Sequence, residues 1–169
     1  MNRKIFDNEG HAHFITFSCY KRRKFLETDR CKRIVLGCIG KELKERKGIC
    51  AGFVIMPDHV HILVWFPEPN SLSPFMAKFK ETSSKLVQAF YAEHLPAYWK
   101  SVEENHYVWQ DRYHDFNICS DKKIEEKLVY MHNNPVKAEL VKEATDWMYS
   151  SVRFWLIGKS VGIPISNFP

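Results

Sequence analysis

Two histidines bracket one aliphatic residue at the head of an apolar run, Met56-Pro57-Asp58-His59-Val60-His61-Ile62-Leu63-Val64. On a β-strand successive side chains point to opposite faces, so His59 and His61 project together while Val60 points away. Two imidazoles side by side on a rigid strand are a candidate metal platform. A second segment, Leu128-Val129-Tyr130-Met131-His132-Asn133-Asn134-Pro135, offers a nucleophile and a further ligand on one helix. Ile124, Leu128 and Met131 form a narrow apolar stripe there, the natural core contact. Tyr130 lies about 120° off that stripe at 3.6 residues per turn. Asn134 stacks one turn beyond Tyr130. It also precedes Pro135, which puts it at the frayed end of the helix.

Combined, these residues give two nitrogens and a carbonyl oxygen. Three ligands leave positions for water and a phosphate oxygen, as a catalytic metal needs. The mixed donor set allows Mg²⁺ or Mn²⁺, with Mn²⁺ the better match to imidazole. Tyr130 supplies an oxygen nucleophile for a covalent intermediate, and the metal would stabilise charge on a phosphate. Taken alone, His59 and His61 read as structural histidines; their partners change that reading. His11 and His13 share the spacing but have no partner motif, and read as surface or strand-edge residues.

The chain has 169 residues, enough for one domain with a real core, and 45% hydrophobic against 27% charged residues marks a globular protein. No window approaches the roughly 18 apolar residues of a membrane span, and the N-terminus has no apolar signal region, so no membrane association is expected and the expected address is the cytoplasm. The five cysteines are odd in number and lack a C-x-x-C pair, which reads as free thiols. Net charge is +5, and between Lys21 and Lys47 eleven Lys/Arg face four acids, a local excess of seven. Such a stripe suits a polyanion as readily as a solvated helix face. Lys21, Arg22, Arg23 and Lys24, with Lys78, Lys80 and Lys85, are candidate phosphate contacts. Trp109 and Tyr113 could stack on unpaired bases, with core packing an equal reading for Trp109.

These residues need a scaffold. His13 to Tyr20 reads as strand one. A helix capped by Thr28 or Asp29 follows and ends at Gly48. Ile49 to Met56 and His59 to Phe66 read as a hairpin around Pro57-Asp58. A helix from Ser71 or Ser73 to about residue 94 carries Phe75, Phe79, Leu86 and Phe90 as its stripe. A loop with Tyr98 and Trp99 leads to strand four, Tyr107 to Ile118. Ser120 caps a third helix that Pro135 ends. A short helix with Phe154 and Trp155 packs back, and residues 158–169 form an extended tail after a single domain of residues 1–157. This order implies an α+β fold, a ferredoxin-like β-α-β-β-α-β sandwich with an antiparallel sheet and an additional C-terminal helix carrying the tyrosine. One sheet face is left for that helix or for a ligand.

The His59-Val60-His61 pair followed by a helical Tyr130 and Asn134 resembles the single-tyrosine HUH transposases, and within them the REP-associated tyrosine transposases. Tyr130 to Ala138 is similar to that group's tyrosine motif. Trp109 to Asp115, Asp146-Trp147, Ser150-Ser151 and the opening His13 to Phe17 agree with it. The resemblance covers about residues 10 to 155. It implies a homodimeric enzyme acting on single-stranded or hairpin DNA, with Tyr130 forming a 5′-phosphotyrosine link that a 3′-hydroxyl resolves. It makes His59 and His61 the metal pair and Asn134 the third ligand. One position departs: Glu139 stands where the family usually has Gly, which bears on the turn after the helix. Two other readings compete. A non-catalytic DNA- or RNA-binding module of the same fold lacks the RNP-type aromatic signature here. A zinc hydrolase lacks a further ligand at a recognisable spacing.

Overall fold

The structure is a computed structural model that describes residues 10–102 and 107–169. Its four strands are β1 (Ala12–Ser18), β2 (Ile49–Ile55), β3 (His59–Trp65) and β4 (His114–Ile118). They form one antiparallel sheet in the order β2-β3-β1-β4. Helices α1 (Asp29–Glu45) and α2 (Leu72–His94) cover one face, and α4 (Asp121–His132) lies on the other. This is the ferredoxin-like sandwich the element order implies. No helix among the described residues is long and apolar enough to cross a membrane.

Strand alternation divides the sheet between two cores. Ile15, Phe17, Val60, Ile62 and Val64 face α1 and α2 in the larger one. Ala12, Phe14, Leu63 and Met131 meet in the smaller one under α4, with Ile124 and Leu128 packed against it. The Ile124, Leu128 and Met131 stripe is therefore the buried face of the helix. Gly52 lets α4 come this close: a Cβ there would lie 2.3 Å from Leu128 Cδ2.

Several element bounds differ from the sequence reading. Strand four is only His114–Ile118, because Trp109 leaves the ladder after one isolated bridge to Cys19 and sinks into the core. Tyr98 and Trp99 sit in a short helix, α3 (Pro96–Ser101), not a loop. The inner face of α2 runs through Phe75, Phe79, Ser83, Val87 and Tyr91, while Leu86 is exposed and Phe90 only half-buried. The buried hydroxyl of Ser83 hides this stripe from an apolar count; it donates to Phe79 O and accepts from Trp109 Nε1. Pro135 does not end the helical path either. It sits in the first turn of α5 (Asn134–Lys137), where a missing N–H costs nothing. Gly48 follows the turn that closes α1, and Lys47 takes its left-handed residue (φ 52°). What Gly48 supplies is space, since a Cβ would meet the Phe66 ring at 2.8 Å.

The last helix, α6 (Val152–Ile157), follows a stretch that covers the free edge of β2: Ile55 N donates to Tyr149 O and Ser151 N to Phe53 O. Beyond it Val161, Ile163 and Ile165 are buried against the larger core, and Ser166 N donates to Cys50 O. Cys19, Cys31, Cys38 and Cys50 are buried free thiols and Cys119 is exposed.

Candidate active site

His59 and His61 alternate on β3 toward the α4 side, with ring centroids 4.9 Å apart. Each has its Nδ1 engaged. His59 Nδ1 donates to Asp58 Oδ1 at 2.6 Å, and His61 Nδ1 is 2.7 Å from Thr16 Oγ1 across the β1–β3 ladder. Pinning one ring nitrogen leaves Nε2 as the position for a ligand and fixes the ring plane. The turn carrying Asp58 is itself tied down, because Asp58 O accepts from Cys19 N and Pro57 O from Leu26 N. Burial lowers the pKa of both imidazoles. For His61, burial and the charges of His59, Arg22 and Lys127 push it down to about 3. Both rings are thus neutral near pH 7, the form that binds metal.

Tyr130 stands beside His61 in the same chain. Its ring centroid lies 5.4 Å from that of His61 and 6.1 Å from that of Phe14, edge-on to both, and it is 44% exposed. The helix that carries it is locked to the sheet two residues on. His132 Nε2 bonds Ser151 Oγ at 2.7 Å, and that oxygen also accepts from Phe53 N. Burial lowers the His132 pKa to about 4, so it bonds as a neutral ring at the helix end. Lys137 Nζ sits 5.6 Å from the Tyr130 ring centre.

Asn134 follows across the Asn133 junction, whose αR conformation keeps the path nearly helical. Its Nδ2 is buried with no hydrogen-bond partner among the described residues. An orphan of this kind is rare and wants a partner; turning the amide over offers an oxygen there instead, which suits a cation. The described residues hold no cluster of three or more His, Cys, Asp or Glu. The donor chemistry on offer is two neutral imidazoles with Nδ1 held and the unpartnered amide of Asn134, one helical turn past Tyr130, a mixed nitrogen and oxygen set that suits a divalent ion.

The predicted phosphate contacts divide. Arg22 joins the site: its Nε is 2.9 Å from Asp58 Oδ2 and its Nη1 donates to Ser18 Oγ. Lys21 and Lys24 are exposed in the same turn, and Arg23 is half-buried. Lys78, Lys80 and Lys85 lie on α2, across the sheet from the histidines. Lys78 and Lys85 pair with Glu81. Lys80 donates to Gln110 O and Asp111 O beneath the Tyr113 ring. Tyr113 is half-buried against the larger core. Trp109 is 5% exposed between Phe17 and Phe79, which removes it as a stacking surface. His13, read as a surface or strand-edge residue, is buried and paired with Asp115 at 3.1 Å.

The sequence reading assigned no role to Thr16, Asp58, Phe14 or Lys127. Asp58 had a local signal, since a carboxylate beside a strand-initial histidine can reach its Nδ1. Thr16 had none, because its register opposite His61 is a tertiary fact.

Residues 8–134 match the family described as Transposase IS200 like. Over 103 residues the chain is 29% identical to a Haemophilus influenzae protein whose name puts it among the REP-associated tyrosine transposases, covering 57% of this chain and 54% of that one. Over 143 residues it is 24% identical to the REP-associated tyrosine transposase of Escherichia coli, covering 85% of this chain and 77% of that one. The fold is similar to that of a REP-associated tyrosine transposase solved bound to a REP hairpin, with TM-score 0.72 at 21% identity over 99% of this chain and 94% of that chain.

Proposed function

This chain belongs to the IS200-like transposase family, and from that premise we propose that it cuts and rejoins single-stranded or hairpin DNA through Tyr130. The solved relative is bound to a REP hairpin, which makes a hairpin the natural substrate to test. The observation that carries the reading is the edge-on contact of an exposed phenol with His61, one of two adjacent neutral imidazoles whose Nδ1 atoms are already held.

In this reading His59 and His61, through Nε2, and Asn134, through its amide oxygen, hold a divalent ion, Mg²⁺ or Mn²⁺. The ion supplies charge stabilisation at the phosphate. Thr16 and Asp58 orient the two rings. Tyr130 Oη bonds to phosphorus as the bond to the 3′-oxygen breaks. The phenol proton passes to solvent and the leaving oxygen gains one, leaving a 5′-phosphotyrosine and a free 3′-hydroxyl. Attack by another 3′-hydroxyl reverses the step and joins strands, so no nucleotide cofactor is consumed. Arg22, Lys127 and Lys137 give the surroundings a positive field that draws the backbone in. We place the enzyme in the cytoplasm with its DNA. The enzyme assembles as a homodimer, and His59, His61 and Tyr130 of a single copy already lie together.

The test is covalent capture on labelled hairpin DNA from the flanks of the gene, with Mn²⁺ or with chelator. Wild type is expected to give a denaturation-resistant protein–DNA band that disappears with chelator and in Tyr130→Phe. A band that persists in Tyr130→Phe overturns the reading. Tight binding with no band on any flanking hairpin would leave the chain as a DNA-binding module.

A further inference from the structure

Phe116 is nearly half exposed (46%) on β4, the sheet's edge strand, and faces the same side as the histidines. Its ladder partner is Phe14, whose ring stacks on His61 at 5.5 Å and meets Tyr130 edge-on. At about 4.8 Å between strands and about 3.4 Å per residue, Phe116 lies two strands over and two register positions along from His61, roughly 12 Å away, within reach of the nucleotides beside an attacked phosphate. Lys127, on α4 one turn before Tyr130, bridges the two phenylalanines: its Nζ is 4.6 Å from the Phe116 ring centre and 5.1 Å from that of Phe14. It pairs with no carboxylate among the described residues.

A single exposed phenylalanine needs no explanation. This one is continuous with the Phe14–Tyr130 ring series and carries an uncommitted cation at its side. A planar apolar face beside a positive charge fits a nucleotide, with its π-surface and its phosphate. We propose that Phe116 and Lys127 form a subsite for one unpaired nucleotide of the DNA strand, the base lying on the Phe116 ring and Lys127 meeting an adjoining phosphate. The proposal rests on the DNA-cleaving reading above and adds to it a contact away from the reacting atoms.

Binding is measured by fluorescence anisotropy in chelator, so that it is read without cleavage. The probes are a flanking hairpin with a short single-stranded extension, and the same hairpin whose extension is abasic. Phe116→Ala is expected to weaken binding of the first probe by about tenfold and leave the second unchanged. Phe116→Trp is expected to restore the loss. Equal binding of both probes by Phe116→Ala and wild type overturns the subsite, as does an equal loss on the two. Lys127→Met keeps the stem on the rings and is expected to flatten the line of log affinity against log salt by about 0.7. An unchanged slope removes Lys127 from the subsite even if Phe116→Ala proves poorly folded. Covalent capture on the same probes is read separately. Wild type that binds in this pattern but forms no adduct contradicts the Tyr130 reading and leaves the subsite standing.

Discussion

Asp58 sits between two donors, a neutral imidazole and a guanidinium. One carboxylate oxygen accepts from His59 Nδ1 and the other meets the Arg22 guanidinium. The first contact sets which His59 nitrogen is left for a ligand; the second keeps the carboxylate from turning away. The main chain bears a cost for it, since Lys21 and Arg22 both have left-handed φ (52° and 56°) in a turn closed by Arg23 N to Tyr20 O. Such outer partners typically tune metal affinity by about 10- to 100-fold. Asp58→Asn is therefore expected to raise the Mn²⁺ concentration for half-maximal adduct formation at least about tenfold, with the far-UV circular dichroism unchanged. An unaltered metal requirement would confine Asp58 to holding the turn. The sequence exposes Asp58 as a turn residue but not this role, which depends on where Arg22 comes to rest after an unusual turn.

At the scale of elements, α1 and α5 end in the same way. Gly48 N donates to Leu43 O after α1, and Leu140 N donates to Pro135 O after α5. Lys47 and Glu139 take the left-handed position between. Glu139 stands where the resemblance implies a glycine, and its φ of 56° lies in the left-handed region that favours glycine. A side chain there costs roughly 1–2 kcal/mol, partly offset by the greater entropy a glycine loses on folding. Glu139→Gly is expected to stabilise the fold by about 0.5–1 kcal/mol, read as a higher urea midpoint at constant m-value. A lower midpoint would mean that Glu139 makes a contact worth more than its strain. The helices and the hairpin of β2 and β3 are legible in the sequence because their apolar spacing and caps are local: Thr28 Oγ1 accepts from Cys31 N, and Ser120 Oγ from Lys123 N. Strand four is not legible at its start. Trp109 and Tyr113 have strand-like composition, yet a pocket formed by Phe17, Phe79 and Ser83 claims Trp109.

At the scale of the whole molecule, the sheet works as a plate with two uses. One face carries α1, α2 and the larger core, which α3 and the buried end of the tail extend. The other face is only partly covered, because α4 crosses β2 and β3, burying Phe14 and His61 beside Tyr130 and leaving Phe116 and Tyr130 exposed. This separation explains which basic residues the sequence could not sort. Charge alone gives Lys21–Lys24 and Lys78–Lys85 equal standing, and only the fold puts Arg22 beside the histidines and the α2 lysines behind the plate. The His59–His61 pair and Tyr130 could be read beforehand because strand and helix periodicity fix their direction. Their meeting, with the rings 5.4 Å apart, required the docking of α4 through Gly52 and the His132–Ser151 bond. The central claim is that this meeting makes Tyr130 the nucleophile. Its most direct test is mass spectrometry of the adduct formed on a flanking hairpin with Mn²⁺, after protease and nuclease digestion. The account predicts a nucleotide phosphate attached to the peptide that carries Tyr130, at that side chain. The same mass on any other residue would contradict it.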